Sequence, residues 1–423
     1  MYVDYIKKGL HMNLRDEQNI QRNMIFNTVG TLVYSVCQWL MSVIIVRLSE
    51  YEDAGIWAIA ASVTASPAIV GLFNIRSFQV SDLEGQFSDH VYIRSRTVTN
   101  LVSFLVCAVM VFAGGYNLEK AAVIFAYMLF KIIEAYADVY YGIEQRWNRM
   151  DYVGISLAVR GIGTVLLFIV VFLTCGSMLL GIVAMSLLSL AVVLVYDRTI
   201  VNKRKQKEST GREHIANEVR QLLVTCFPLA VVAFLNNLSI NMPKIFLERF
   251  YGSEIMGFYS SVSSPTVIIQ LAATTIFAPL IPVLTLAYNE REKSRFLGVI
   301  KKYLLLVLGF SIICMAGSAV LGEWGLVLLY GEGIRPYAGL LVPIVVVSIF
   351  IAVNANLFSI CTLLREIKIQ YLIGFLGIAA SLLLSVWLVR AAASYGVICA
   401  TLGTLGVQIL IQAAIIIKKV KEM

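Results

Sequence analysis

Long apolar segments constrain this chain more than any other feature of its sequence. The gaps between them are alternately rich and poor in basic residues. The Lys and Arg residues, 34 in all, crowd into every second gap between the segments. The exceptions lie in the intervening gaps or inside the segments themselves: Arg47, Lys120, Lys131, Arg160, Lys244, Arg249, Arg335 and Arg390. This alternation is typical of a chain that crosses a bilayer repeatedly and keeps its basic loops in the cytoplasm. It predicts a multi-pass protein of the cytoplasmic membrane with both termini in the cytoplasm.

The overall composition excludes a soluble globular protein. Hydrophobic residues make up 59% of the chain and charged residues 14%, against about 25% charged residues in soluble domains. The net charge of +8 does not indicate nucleic-acid binding, because the basic residues lie in short loops beside apolar segments, where anionic lipids attract them. We therefore expect the lipid bilayer, and no nucleic acid, as a partner.

The apolar segments are long enough for about twelve transmembrane helices, since one span needs about 20 apolar residues. Their approximate bounds are 24–46, 54–74, 97–115, 120–140, 153–174, 177–196, 220–241, 254–287, 303–322, 338–364, 369–389 and 394–417. The eighth segment is too long for one straight span and contains Pro265, Pro279 and Pro282. Because proline interrupts helical hydrogen bonding, either a bend or an extension of the helix into the cytoplasm is predicted there.

The longest cytoplasmic loop divides the predicted spans into two equal sets. It is rich in Lys and Arg, with Lys205 near its centre. We therefore expect an all-α integral membrane protein in three parts. These are an N-terminal six-helix bundle over 1–200, a basic cytoplasmic linker over 201–219 and a C-terminal six-helix bundle over 220–423.

The two predicted bundles share a short sequence pattern. The segment from Arg47 to Trp57 aligns without gaps on the segment from Arg249 to Tyr259. Arg, Glu, Gly and an aromatic residue recur at the same spacing, at the first outer turn of each half. Because six spans separate the two copies, the repeats are parallel and related by an axis along the membrane normal. Transporters commonly have this construction, with the substrate site between the halves.

The fourth span carries the most informative polar residues. Lys120, Lys131, Glu134, Asp138 and Gln145 fall on one face of a helix. An ionised side chain at mid-bilayer costs about 2.5–3.5 kcal/mol on insertion scales, so these side chains must face protein or water. Two interpretations follow. Either a Lys131–Glu134 salt bridge holds helices together, or this face of the helix lines a hydrophilic pathway for a substrate, which is our working hypothesis.

Other polar residues at membrane depth are candidates for the same pathway. Arg160 lies about two turns inside the fifth span, where it either snorkels to the cytoplasmic surface or lines the cavity. Asn241 and Lys244 belong to a polar cluster at the outer end of the seventh span, and Gln270 lies in the middle of the eighth. Asn354, in the tenth span, either lines the cavity or makes interhelical hydrogen bonds.

The sequence lacks the usual patterns of a catalytic or metal site. It has no HExxH motif, P-loop or nucleophile elbow, and its three histidines are dispersed. The seven cysteines are scattered, and no two have metal-ligand spacing. We therefore expect a protein that is not an enzyme and has no catalytic residues, no metal and no cofactor.

Several stretches, in order along most of the chain, resemble one family of membrane proteins. They are Asn27 with Gly30, Arg47-Leu48 with Gly55, Asp138 to Gln145, Asn148 to Asp151 with Arg160, Asn241 to Lys244, Gly257 to Tyr259 and Leu329 to Glu332. Together they resemble the Wzx-like polysaccharide flippases, a branch of the multidrug/oligosaccharidyl-lipid/polysaccharide (MOP) exporter superfamily. Some relatives have 14 spans, whereas this sequence shows about 12.

The resemblance implies a fold and a function. The fold would be two six-helix bundles around a central cavity that opens alternately to either side, as in the MATE branch of that superfamily. The function would be export of undecaprenyl-diphosphate-linked oligosaccharide repeat units for a capsule, O-antigen or similar surface polysaccharide. A polysaccharide polymerase and other assembly proteins are candidate partners, and a proton or sodium gradient is a candidate energy source.

The residues themselves agree with such a substrate. A lipid-linked sugar needs a wet, hydrogen-bonding channel for its head group, whereas its isoprenoid tail can stay in lipid. Its diphosphate needs cations, and Arg47, Lys131, Arg160 and Lys244 are available. Two alternatives stay open. An ion-coupled drug or small-molecule antiporter would favour an acid-dominated cavity, and a membrane polysaccharide polymerase or ligase would favour a large outer loop.

Overall fold

A computed structural model describes residues 14–82, 85–204, 215–277 and 280–423. Lys205, most of the predicted basic linker and Pro279 lie outside these residues. The helices of the first half are α1 (Leu14–Leu48), α2 (Tyr51–Leu72), α3 (Ile75–Ser81), α4 (Asp89–Gly114), α5 (Leu118–Arg146), α6 (Met150–Cys175), α7 (Met178–Val192) and α8 (Arg198–Arg204). A π-helical turn, Val193–Asp197, joins α7 to α8.

The described residues of the second half form helices joined by short turns. Its α-helices are α9 (Ile215–Ser263), α10 (Val267–Phe277), α11 (Leu280–Asn289), α12 (Lys293–Tyr330), α13 (Leu341–Leu363), α14 (Ile367–Leu384) and α15 (Arg390–Glu422). A 3₁₀ turn at Ser264–Thr266 separates α9 from α10. Since Pro265 lies in this turn, the α-helix of the eighth segment is interrupted at the first of its prolines.

Nine helical stretches within the described residues are long and apolar enough to cross a membrane. Two of them, Ile215–Ala273 and Lys368–Glu422, are interrupted by non-helical backbone, at Gly252 and at Ala392–Ala393 respectively. Helix α5 is absent from the nine because it carries several charged residues. The prediction of an all-helical, multi-pass membrane protein is confirmed, while the number of twelve crossings stays a prediction.

The packing of the helices divides the chain into two compact units. The first unit is built from the segments up to residue 40, 71–104 and 129–226, and the second from 41–70, 105–128 and 227–423. The boundaries fall inside long helices, so one helix can contribute to both units. The predicted division into bundles at 1–200 and 220–423 follows chain order instead, and it stays a prediction.

The first unit packs around an aromatic and aliphatic core. Tyr92 of α4, Tyr141 of α5 and Val153 of α6 are buried in it. Helix α1 packs against α6 through two glycines, because a Cβ atom at Gly30 or Gly154 would collide with the backbone of the opposite helix. Such close approach of small residues is a usual way for helices to associate in membranes, where dispersion contacts replace the hydrophobic effect.

The second unit contains two glycine contacts that mirror each other. A Cβ atom at Gly55 would collide with the carbonyl oxygen of Ser253, and one at Gly257 with the carbonyl oxygen of Tyr51. In the repeat alignment Gly55 corresponds to Gly257, and Tyr51 to Ser253. A contact and its exchanged copy are what a two-fold rotation relating the repeats would produce. The close contact of α2 with α9 thus explains why glycine recurs in the sequence repeat: Gly55 and Gly257 both allow the two backbones to meet.

We expect Gly257→Leu to lower the free energy of unfolding by at least about 1–3 kcal/mol, because the side chain cannot enter without separating the backbones of α2 and α9. Gly309→Leu is the matched control, since the Cβ position at Gly309 on α12 meets open space. The measurement is thermal unfolding of the purified variants in detergent. Equal stability of the two variants would contradict this packing.

Candidate functional site

The predicted polar face of α5 is occupied at its centre by an ion pair. Lys131 Nζ lies 2.7 Å from a carboxylate oxygen of Glu134, one turn along the same helix. The Tyr34 hydroxyl of α1 donates a hydrogen bond to the other oxygen of Glu134. The side chains of Lys131 and Glu134 remain 26% and 20% exposed. The salt bridge between Lys131 and Glu134 is therefore formed, as the helix-holding interpretation requires. Both side chains are also partly exposed, as the pathway interpretation requires.

Asp138, on the same face, has a different environment. Its two carboxylate oxygens lie 3.1 Å from Arg76 of α3 and 2.9 Å from Arg96 of α4. The Arg96 side chain is fully buried and also donates to the Gly71 carbonyl oxygen. Gln145, two turns further along α5, accepts a hydrogen bond of 3.0 Å from Arg76. These contacts tie α3, α4 and α5 together, so this end of the face acts as a joint between helices.

Arg160 is enclosed within the first unit. Only 2% of the residue is exposed. Its Nε donates to the Ser189 hydroxyl at 2.9 Å, and one terminal nitrogen donates to the Tyr141 hydroxyl at 3.0 Å. The guanidinium also lies 5.7 Å from the centre of the Tyr34 ring. Its positive charge is therefore held among helices α1, α5, α6 and α7, and its place in a substrate pathway stays a prediction.

The first unit also contains acidic residues that sequence reasoning missed. Glu144 of α5 and Asp197 of the π turn are both fully buried. Glu144 lies in the family-like stretch from Asp138 to Gln145 but is not one of the predicted pathway residues, and Asp197 belongs to no motif. Each follows an apolar segment at a point where a solvated loop residue is the ordinary expectation. Only the tertiary packing places them inside, so neither position by itself indicated burial.

The remaining candidate residues lie in the second unit. Asn354 of α13 is fully buried, and it exchanges hydrogen bonds of 3.1 Å with Asn236 of α9 and with Gln408 and Gln412 of α15. This network corresponds to the interhelical alternative of the sequence analysis. Asn241 donates back to the Asn237 carbonyl oxygen, one turn earlier on α9, at 3.1 Å.

Lys244 and Gln270 are both half-buried, on α9 and α10 respectively. Among the described residues Lys244 makes neither a hydrogen bond nor an ion pair, which leaves its ammonium group available to an anion. A half-buried cation without a partner is unusual inside an apolar helix, because burial without pairing is costly. Lys244 is therefore the strongest candidate in the second unit for contact with a charged substrate group.

Arg47 binds the end of a helix that belongs to the other half of the chain. Its Nε donates to the Leu329 carbonyl oxygen at 2.8 Å, and a terminal nitrogen donates to the Leu328 carbonyl oxygen. These carbonyls belong to the last turn of α12. The last carbonyls of a helix lack intrahelical partners and carry partial negative charge, so a guanidinium there satisfies both requirements.

Arg249 makes the corresponding contact in the opposite sense. It donates to the Gly114 carbonyl oxygen, at the end of α4, at 3.1 Å. Arg47 and Arg249 are equivalent in the repeat, and α4 and α12 contain the third predicted span of their respective halves. Each half thus caps the third span of the other half, and this reciprocity matches that of the glycine contacts.

Further contacts of the second unit join the same predicted outer ends. The hydroxyl groups of Ser42 and Ser264 are 3.0 Å apart, and that of Tyr330 lies 2.5 Å from Ser264. The rings of Tyr51 and Phe258 stack with their centres 4.0 Å apart. Lys120 of α5 pairs with Glu248 of α9. Together with the arginine caps, these contacts join the predicted outer ends of segments from both halves of the chain, and we call this set of contacts the outer closure.

Comparison with known proteins gives the family and the fold. The profile of a family described as "Polysaccharide biosynthesis protein" matches residues 75–288. The capsular polysaccharide biosynthesis protein CapF of Staphylococcus aureus is 24% identical over 311 residues, which are 74% of this chain and 77% of CapF.

Solved structures of MATE transporters share the fold. An inward-facing multidrug resistance MATE transporter of the MOP superfamily superposes with a TM-score of 0.70 at 11% identity, covering 95% of this chain and 99% of that one. A MATE transporter of Vibrio cholerae gives 0.65 at 14% identity, covering 96% and 97%. At these identities the likeness shows the fold alone, and that fold is MATE-like.

We expect Asp138→Asn to destabilise the protein strongly, because it leaves the buried Arg96 guanidinium without a counter-charge. Breaking a buried ion pair from one side costs about 3–5 kcal/mol. Glu292→Gln, which neutralises one partner of the exposed Arg295, is the matched control and should leave stability unchanged within error. The stability of both variants is measured as the amount of folded protein recovered from membranes. Normal recovery of Asp138→Asn would show that the joint between α3, α4 and α5 is dispensable.

Proposed function

The chain belongs to the polysaccharide biosynthesis protein family, and we propose that it translocates undecaprenyl-diphosphate-linked oligosaccharide repeat units across the cytoplasmic membrane. The units would serve the assembly of a surface polysaccharide such as a capsule, O-antigen or exopolysaccharide. The observation that carries the proposal is the reachable Lys131–Glu134 pair at membrane depth in a chain of this family. A charged pair is expensive there unless water or a polar substrate comes to it.

The diphosphate of such a substrate requires cations within its reach. Lys131 is partly exposed and paired with Glu134, and Lys244 is half-buried without a partner among the described residues. Arg47 caps the end of α12, and Arg160 is buried and donates to two hydroxyl groups. A diphosphate would therefore reach the two lysines more readily, with Lys131 exchanging its contact with Glu134. Lys131 and Lys244 are therefore the residues we assign to the diphosphate, and the sugar would use neutral hydrogen-bonding groups.

The outer closure supports alternating access as the mechanism. It is made of arginine caps, hydroxyl contacts and one ion pair, and polar contacts of this kind contribute about 0.5–1.5 kcal/mol each, or up to about 3 kcal/mol where a charge takes part. A set of such contacts can close one end of a pathway and still open when a substrate binds. We propose that release on the outer side requires the outer closure to separate. A proton or sodium gradient would drive the cycle, and a polysaccharide polymerase would receive the product.

A drug or small-molecule antiporter is the second candidate function, and the MATE-like fold favours it. The family match favours polysaccharide biosynthesis instead. Both candidates place the protein in the cytoplasmic membrane, with both termini proposed to be cytoplasmic. Translocation assays with a lipid-linked oligosaccharide and with cationic drugs separate the two.

We expect Lys131→Ala to abolish surface-polysaccharide export while the protein remains abundant in the membrane, because Tyr34 and the nearby Arg160 still stabilise Glu134. Lipid-linked precursor should accumulate on the cytoplasmic face, and Lys131→Arg should retain part of the export because it keeps the positive charge. The measurements are polymer at the cell surface, precursor in membrane extracts and protein abundance.

The double variant Lys131→Ala with Glu134→Ala tests the opposing interpretation. If the pair only holds helices together, the single variant loses export because it leaves one buried charge without a partner. Removing both charges removes that cost, so export should return. Restored export in this variant would falsify the pathway hypothesis. Continued loss of export in an abundant double variant supports it.

We expect a disulfide between Ser42→Cys and Ser264→Cys to stop export reversibly, because it would lock the outer closure. The two hydroxyl groups are 3.0 Å apart, and the exposed Cys175 and Cys399 are first replaced by serine. Export is measured after oxidation and again after reduction.

The matched control is a second cysteine pair at Thr266 and Ser348, whose hydroxyl groups are 2.7 Å apart within the second half. Its disulfide should form without stopping export, since it joins two helices of the same predicted bundle. Undiminished export with the Ser42–Ser264 positions fully cross-linked would count against opening of the outer closure.

A further inference from the structure

Two carboxyl groups are buried in the first unit with few partners among the described residues. Glu144, in the last turn of α5, is fully buried, and within that part of the chain neither of its carboxyl oxygens has a hydrogen-bond partner. Asp197, at the end of the π turn, is also fully buried, and one of its oxygens has no partner among the same residues. Each buried polar group left unsatisfied in a folded protein calls for a physical explanation. π turns inside helices frequently occur at functional positions.

A protonated state explains both groups. Transfer of an ionised carboxylate into an apolar interior without donors is so costly that the group takes up a proton instead. Burial, and next the negative charge of Asp197, raise the pKa of Glu144 to about 9. Because a raised pKa favours the protonated form, Glu144 holds its proton at neutral pH and loses it only as the pH rises through that value.

The charged and titratable groups around Glu144 belong to several elements. Asp197 and Asp151 disfavour its ionisation, whereas Arg76 of α3 and Arg149 favour it more weakly. Tyr196 of the π turn also interacts electrostatically with Glu144. Arg149 is already paired with Asp151 at 2.7 Å, and Arg76 with Asp138. The two cations are therefore largely occupied, so neither is dedicated to Glu144.

A chain of hydrogen bonds leads from Asp197 towards the centre of α5. The second oxygen of Asp197 accepts from the Ser156 hydroxyl at 3.1 Å, and the hydroxyls of Ser156 and Tyr141 are 2.9 Å apart. Tyr141 in turn accepts from Arg160 at 3.0 Å. The remaining terminal nitrogen of Arg160, Nη2, is buried and has no hydrogen-bond partner in the described part of the chain. Its charge acts on both Asp197 and Glu134.

We propose that Glu144 and Asp197 form a proton-binding site and that Arg160 transmits its protonation state to the Lys131–Glu134 pair. Arginine does not release its proton in proteins, so no proton passes through it. Instead, loss of the proton leaves a negative charge that draws the Arg160 guanidinium towards Asp197 and away from Glu134. Glu134 then depends on Lys131 alone for its counter-charge, which makes Lys131 less available to a substrate anion.

The inference rests on the proposed function only for its effect on substrate, and the site itself is tested without transport. Infrared spectra of the purified full-length protein in lipid nanodiscs should show a protonated carboxyl band at neutral pH. The band should disappear with rising pH. Glu144→Gln should remove or weaken it, and so should Asp197→Asn. Glu366→Gln is the matched control, because that carboxylate is paired with Lys419 at 2.7 Å and contributes no such band.

A second variant tests the link through Arg160. Glu134→Gln removes the competing negative charge, so Arg160 acts on Asp197 alone and the proton should be held less tightly. The pH at which the carboxyl band has lost half of its intensity should fall by on the order of one unit, which is a tenfold change in proton affinity. An unchanged midpoint overturns the link.

The outcomes distinguish this inference from the proposed function. If the wild-type protein shows no protonated carboxyl band at neutral pH, or if both carboxyl variants keep it, the proton-binding site is wrong, whatever the transport assay gives. If the band behaves as expected but proteoliposomes with the wild-type protein translocate no lipid-linked oligosaccharide, the proposed function fails while the site stands. The wild-type pH titration decides the question even if a variant does not fold.

Discussion

Charge inside a bilayer has to be neutralised by neighbouring groups of the protein, and the arrangement of the first unit depends on this requirement. Asp138 binds Arg76 and Arg96, so three helices meet where one carboxylate offsets two guanidinium groups. Lys131 and Glu134 neutralise each other one turn apart. Arg160 is surrounded by hydroxyl groups that accept its hydrogen bonds. None of these charges could face lipid alone, because each would cost several kcal/mol there.

The second unit depends on close backbone contact and on helix ends. Gly55 and Gly257 let two backbones meet, and Arg47 and Arg249 then reach the carbonyl groups that end α12 and α4. Every one of these contacts has a counterpart in the other half of the chain. Internal repeats related by an axis along the membrane normal, as the sequence predicts, would produce such pairs.

The two kinds of interaction suit different parts of a membrane protein of polysaccharide biosynthesis with a MATE-like fold. Buried ion pairs are costly to break from one side, so they hold helices in fixed positions. Caps on exposed helix ends and contacts between hydroxyl groups are individually weak, so they can exchange during a conformational change. Lys244, Glu144 and one nitrogen of Arg160 lack partners among the described residues, so binding of a further group would improve their environment.

The sequence by itself determined the class of the protein, because the length and composition of apolar segments follow directly from bilayer thickness. It also indicated the apolar helical segments, the break at Pro265 and the alignment of Arg47 with Arg249, since proline chemistry and a repeat are visible without coordinates. For the charged residues it gave only the helix face. Lys131, Glu134 and Asp138 share that face, yet the first two pair with each other while Asp138 binds α3 and α4. Which partner each obtains, and whether Glu144 and Asp197 meet water or the protein interior, was decided by tertiary packing. Helical periodicity specifies only the direction in which a side chain leaves its own helix axis. The partners of that side chain come from helices that are distant in the sequence.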